Sequence, residues 1–143
     1  MIRLTEKYII KQVAYWTKKL DLLPITIKTN NKIKYHGWIE HYKNNENTIL
    51  TINIKSLIKN PLDLQGFIFH ELGHIKYKTW KYNTTKDKIK SEIIAEKFAL
   101  RSLKRYCPKQ YIQYKTSWKK SIQDKKWQEK YPIYYKAFSR IYK

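Results

Sequence analysis

Residues 70–74 read His70-Glu71-Leu72-Gly73-His74, and this spacing constrains the chain more than any other feature it carries. On an α-helix, residues four apart share a face, so the two imidazoles present themselves to one point. Two neutral imidazoles so placed form a clamp for zinc, Zn2+. Glu71 lies beside the clamp, where its carboxylate can take a proton from a water activated by the metal. The helix is also well signposted. Asn60 is an N-cap candidate, Pro61 stands at the first helical position, and Asp63 puts an acid in the first turn. Leu64, Ile68, Leu72 and Ile75 then make a buried stripe, and together these signals predict a helix over 61–78. The bland alternative is a helix whose histidines and glutamate are ordinary polar surface groups. A capped helix followed by a carboxylate pair argues against it.

A catalytic zinc needs a third protein ligand and an open position for water. His36 and His41 both lie upstream, position 80 is Trp80, and Cys107 stands alone. A second helix is expected over 87–106, and it carries Glu92 and Glu96 four residues apart on one face. Ala95 and Ala99 share much of that face, and residues so small let two helices approach closely. One glutamate would bind zinc and the other support it.

The run His70-Glu71-Leu72-Gly73-His74, with Glu92-Ile93-Ile94-Ala95 and then Phe98-Ala99 on the next helix, resembles the ImmA/IrrE metallopeptidases and related small gluzincins. The resemblance covers about residues 48 to 100. It implies that Glu92, the glutamate of the Glu-x-x-Ala motif, is the third zinc ligand. Glu96 stands where that family often has Asn, which is a departure. In larger gluzincins an acid four residues after the ligand glutamate orients a zinc-bound histidine. By that similarity Glu96 holds His70 or His74 in the correct tautomer; the competing reading pairs it at the surface with Lys88, Lys90 or Lys97. The resemblance also implies a zincin-like fold in which the strand over 48–54 forms the rim of the cleft and a substrate peptide adds to it as a strand. Tyr77, Tyr82, His36 and His41 are candidates to stabilise the oxyanion, although both histidines read more simply as ordinary strand residues.

The rest of the chain reads as an α+β fold in a single domain over 1–143. Ile9, Val13, Trp16 and Leu20 recur at helical spacing over 5–20, with Thr5 as N-cap and Leu4 and Ile9 as a hydrophobic staple. Three strands are expected over 25–29, 33–42 and 48–54, joined by turns at Asn30-Asn31 and 43–47 into an antiparallel meander. Beyond Pro108 two helical segments are expected. Tyr111, Tyr114, Trp118 and Ile122 form one stripe; Tyr131, Tyr134 or Tyr135, and Phe138 form another.

The formal charge is +20, of which +12 falls within residues 97–143. Such a surplus suits acidic partners, nucleic acid above all. A composition rich in Lys, Asn, Ile and Tyr is equally what an AT-rich genome imposes. The basic, aromatic part over 108–143 could stack bases and meet phosphates, but the helical spacing of its rings favours core packing, with lysines on the solvated face. No apolar run is long enough to cross a membrane, and Arg3, Glu6, Lys7 and Lys11 interrupt the start where a signal peptide would be apolar. With a lone cysteine, the expectation is a reducing, intracellular setting.

The function expected is therefore a zinc endopeptidase with an intracellular protein substrate, such as a DNA-bound regulator, with His70, His74 and Glu92 on the metal, Glu71 as base and Glu96 as support. A SprT-like protease of DNA-associated proteins is the nearest rival, weakened by the lack of a third histidine after His74. A basic nucleic-acid-binding module with a structural zinc is the rival from outside the enzymes, and it leaves Glu71 without a use.

Overall fold

In the computed structural model, the described residues are 4–22, 25–42, 47–79 and 82–143; residues 43–46 of the expected polar turn, Pro24 and Trp80 lie outside them. Helix α1 (Glu6–Lys19) starts where the cap signal placed it, with Thr5 Oγ1 accepting from the Tyr8 amide at 3.2 Å. Its buried face, Ile9, Val13 and Trp16, meets the central helix pair, and the Trp16 ring packs against Phe69 with centroids 4.8 Å apart.

The strands are β1 (Thr26–Thr29), β2 (Gly37–Tyr42) and β3 (Asn47–Ile52). Their order is β1-β3-β2, with β3 parallel to β1 and antiparallel to β2. The expected antiparallel meander is thus replaced by a mixed sheet with β3 at its centre. The reason lies in the Asn30–His36 segment, which does not fold back as a hairpin. It runs past the end of β3 instead: the Asn30 amide donates to Ile52 O (2.9 Å), the Asn53 amide to His36 O (2.6 Å), and Asn53 Nδ2 to Ile33 O (2.9 Å). A central strand is covered on both faces, and β3 is buried from Thr48 through Ile52 without alternation. Expected strand 33–42 is correspondingly shortened to begin at Gly37. A Cβ there would lie 2.5 Å from Thr51 O and 2.8 Å from the Phe67 ring, so only glycine lets β2 come this close.

Strand β3 also ends two residues early. Asn53 Oδ1 caps the Ser56 amide (3.0 Å) and starts a short helix, α2 (Ile54–Lys59), that the alternation of Ile52 and Ile54 concealed. The helix expected over 61–78 opens as a 3-10 turn, Pro61–Asp63, and becomes α3 (Leu64–Tyr77). Asn60 makes no side-chain cap to it, because its amide donates back to Ser56 O. Helix α4 (Thr85–Tyr106) is capped by Thr84. It packs along α3 at very close range: a Cβ on Gly73 would sit 3.0 Å from Ala95 O and 3.1 Å from Ala95 Cα. Ala95 and Ala99 are fully buried in that contact, which is the close approach their size predicts.

After Pro108 come α5 (Pro108–Ser121), α6 (Lys125–Lys130) and α7 (Pro132–Tyr142). The brief α6, capped by Asp124, was not among the two segments expected. Ile122, Ala137, Phe138 and Tyr142 join Ile89 of α4 in a second apolar cluster around Trp118. The aromatic stripes of this part are therefore packing surfaces. Among the described residues, no helix is long and apolar enough to cross a membrane.

Candidate metal centre

Helix α3 brings His70 and His74 one turn apart, and α4 lays Glu92 across them. His70 Nε2 and His74 Nε2 are 3.2 Å apart; Glu92 Oε2 is 2.9 Å from the first and 3.5 Å from the second. A tetrahedral zinc with bonds of about 2.0–2.1 Å has ligand-to-ligand edges of about 3.3–3.4 Å. Three donors forming a triangle of nearly that size fit three corners of such a site. All three residues are buried, and a cluster of two imidazoles and a carboxylate is a nitrogen and oxygen donor set suited to zinc.

The far nitrogen of each imidazole is engaged, which leaves each Nε2 to face the common point. His70 Nδ1 lies 2.6 Å from Glu96 Oε2. Glu96 has no solvent exposure, and its other oxygen accepts from the Tyr142 hydroxyl of α7. Surface pairing with Lys88, Lys90 or Lys97 is thereby ruled out for it. His74 Nδ1 faces Thr79 Oγ1 at 2.9 Å and Ser91 Oγ at 3.3 Å. Thr79 reaches it because Lys78 ends α3 in the left-handed conformation (φ 52°) and turns the chain back, the Thr79 amide donating to His74 O at 3.0 Å.

The electrostatics call for positive charge at the centre. Burial alone would keep His70 neutral, but hydrogen bonds and charge from Glu92 and Glu96 outweigh it and raise its pKa well above the ordinary value. Burial would likewise raise Glu92, yet the hydrogen bonds from His70 and His74 hold it far below the usual carboxylate range. A dication placed among these groups would take over the role of that proton. Glu71 behaves differently. Its burial raises its pKa, only partly opposed by the charges of His70 and His74, and it borders two cavities that meet at the centre.

The smaller cavity is walled by β2 from Gly37 to Glu40, by Tyr82, and by His74 and Glu92. The strand beside the centre is thus the edge strand β2. The expected rim strand β3 has β1 on one side and β2 on the other, so no peptide can add to it. The larger cavity, about 450 Å³, extends toward α5–α7 and reaches His70 and Glu71.

Of the four residues considered as oxyanion donors, His36 borders the larger cavity and Tyr82 the smaller. His36 is held between Ser56 Oγ (2.5 Å, to Nδ1) and Asp63 Oδ2 (3.0 Å, to Nε2). It lies ahead of β2, so it is not the ordinary strand residue expected. Tyr77 is exposed and accepts from Arg101, and His41 in β2 pairs with Thr48 Oγ1; neither borders these cavities. The sequence did not point to Tyr134, which borders both. Burial and the charges of Glu92 and Glu71 raise its pKa steeply, so its hydroxyl keeps its proton. Its place in an aromatic helical stripe gave only a packing signal. Tyr142, Thr79 and Ser91 were equally silent.

Compared with known protein families, with curated proteins and with solved structures, the chain has no match. What stands is the site itself: a buried His-His-Glu group able to hold a metal ion, within an α+β fold of seven α-helices and a three-stranded mixed sheet among the described residues.

Proposed function

We propose that the protein is a zinc-dependent peptidase, with His70, His74 and Glu92 as the metal's ligands and Glu71 as the general base. The observation that supports this best is the triangle of three donor atoms, 2.9–3.5 Å apart, with a buried glutamate next to it at the junction of two cavities. A structural zinc site has its fourth position filled by protein; here three donors face an accessible space, and a base stands beside it.

Zinc bound there would supply Lewis acidity, polarising a carbonyl and lowering the pKa of a water to about 7. Glu71 takes the proton of the attacking water and delivers it to the leaving amine, a transfer helped by the burial that raises its pKa and makes it a stronger base. Glu96 accepts from His70 Nδ1 and keeps Nε2 aimed at the centre; Thr79 and Ser91 do the same for His74. Tyr134, protonated and bordering both cavities, is the donor best situated to meet the charge that develops on the carbonyl oxygen. The wall formed by β2 guides the substrate backbone past the centre.

The test is Glu71→Gln. The variant should keep one zinc per chain and lose cleavage of a protein substrate by about 10²-fold or more, the range that general-base catalysis supplies. Normal cleavage by the zinc-loaded variant would sink the mechanism.

A further inference from the structure

The larger cavity exceeds what water attack requires. One water occupies about 30 Å³, whereas this space holds about 450 Å³, within the range of small-ligand sites. Its walls are mainly rings: Phe67 from α3, Trp118 from α5, Trp127 from α6, and Tyr131, Tyr134 and Phe138 at α7. These rings brace one another edge to face, Trp118 lying 4.6 Å from Phe138 and 5.6 Å from Trp127 between centroids. The chamber is therefore a preformed one.

Its polar groups are largely engaged already. Asp63 accepts from His36, and Glu96 accepts from His70 and Tyr142. Glu71, the third acid of the lining, is the group assigned to water. A cationic guest would have to share carboxylates that already hold partners or a role, and it would meet the exposed Lys34, whose Nζ stands 5.4 Å from the Tyr131 ring centre. An anionic guest would have to enter beside Glu71. A large neutral side chain, by contrast, finds apolar faces and ring edges on several sides.

We propose that this chamber is the specificity pocket of the enzyme and receives a large neutral side chain, aromatic or bulky aliphatic, from the residue beside the bond to be cut. Because His70 and Glu71 form part of its wall, a side chain seated there keeps its own backbone next to the metal centre. The inference rests on the peptidase reading of that centre and adds the class of substrate to it.

The experiment measures binding of N-acetylated hydroxamates to the zinc-loaded protein, so that the metal anchors each probe and no turnover is needed. The phenylalanine hydroxamate should bind about tenfold tighter than the alanine one or better, the value of burying a ring. The lysine hydroxamate should gain nothing over alanine. Ser121→Phe, and Ser117→Phe at a more exposed point of the same wall, should bring the phenylalanine preference close to one while zinc content and alanine hydroxamate affinity hold. Equal binding of the three probes, a lysine preference, or a phenylalanine preference untouched by both folded variants would overturn the proposal. Failure of the wild-type chain to take up zinc would instead overturn the metal reading beneath it.

Discussion

The two histidines of the centre share a helix and a spacing, yet their surroundings differ in kind. On the His70 side the supporting group is a carboxylate without solvent exposure, Glu96, itself tied to Tyr142 near the end of the chain. On the His74 side the supporting groups are hydroxyls, Thr79 and Ser91, brought in by a turn after α3 and by the first part of α4. Both kinds of partner orient an imidazole, but a buried carboxylate, being charged, raises its basicity more than a neutral hydroxyl does. The contrast assigns the stiff, charged support to the side facing the aromatic chamber, and the lighter one to the side facing β2. It also makes α7 part of the candidate centre, because Tyr142 donates the hydrogen bond that satisfies Glu96.

Substitutions can break this contrast or sharpen it. Glu96→Gln should have the largest effect, weakening zinc binding by about 10- to 100-fold as read by competition with a chelator. An unchanged affinity would mean that Glu96 is merely a buried charge. Tyr142→Phe leaves Glu96 against His70 but removes its other partner, and because this reaches the metal only through Glu96 the loss of zinc affinity should be smaller, about 2- to 10-fold, as for a neutral hydrogen bond. Comparing zinc affinity with the melting temperature of the metal-free protein separates positioning from folding here, since a purely structural role moves only the second. The smallest change is expected for Thr79→Val, below about tenfold, because Ser91 Oγ remains within 3.3 Å of His74 Nδ1. If Thr79→Val proved costlier than Glu96→Gln, the asymmetry would be reversed. Apart from the metal, Gly73→Val should destabilise the fold by about 1–3 kcal/mol through overpacking against Ala95, measured by denaturant unfolding without zinc.

The helices were the legible part of the sequence. The stripes of α1 and α3 and the Thr5 cap lie in local spacing, and the close approach of α3 and α4 follows from the size of Ala95 and Ala99, whereas the Asn60 cap expected for α3 does not form. His70 and His74 could be named from their spacing and the pair Glu92 and Glu96 from their shared helix face; the choice of Glu92 between the two came from the family resemblance, and it is Glu92 that lies with the two histidines. The sheet was illegible for a physical reason: whether Asn30–His36 turns back or crosses over depends on partners at 52–55, 17 to 24 residues away, and local propensity carries no trace of them. Strand β3 read as alternating although both its faces are buried. Tyr142 and Tyr134 sit in aromatic stripes whose periodicity announces packing alone; that one hydroxyl meets Glu96 and the other borders the centre is decided by how α7 docks on α4.

The central claim is that His70, His74 and Glu92 jointly hold one zinc ion, and metal analysis of the purified chain after dialysis against a weak chelator tests it most directly. The wild-type protein should retain about one zinc per chain, the stoichiometry of a single site, and Glu92→Ala should retain almost none while keeping its helical content. A wild-type chain free of zinc, or a Glu92→Ala chain that holds it as firmly as the wild type, would contradict the account.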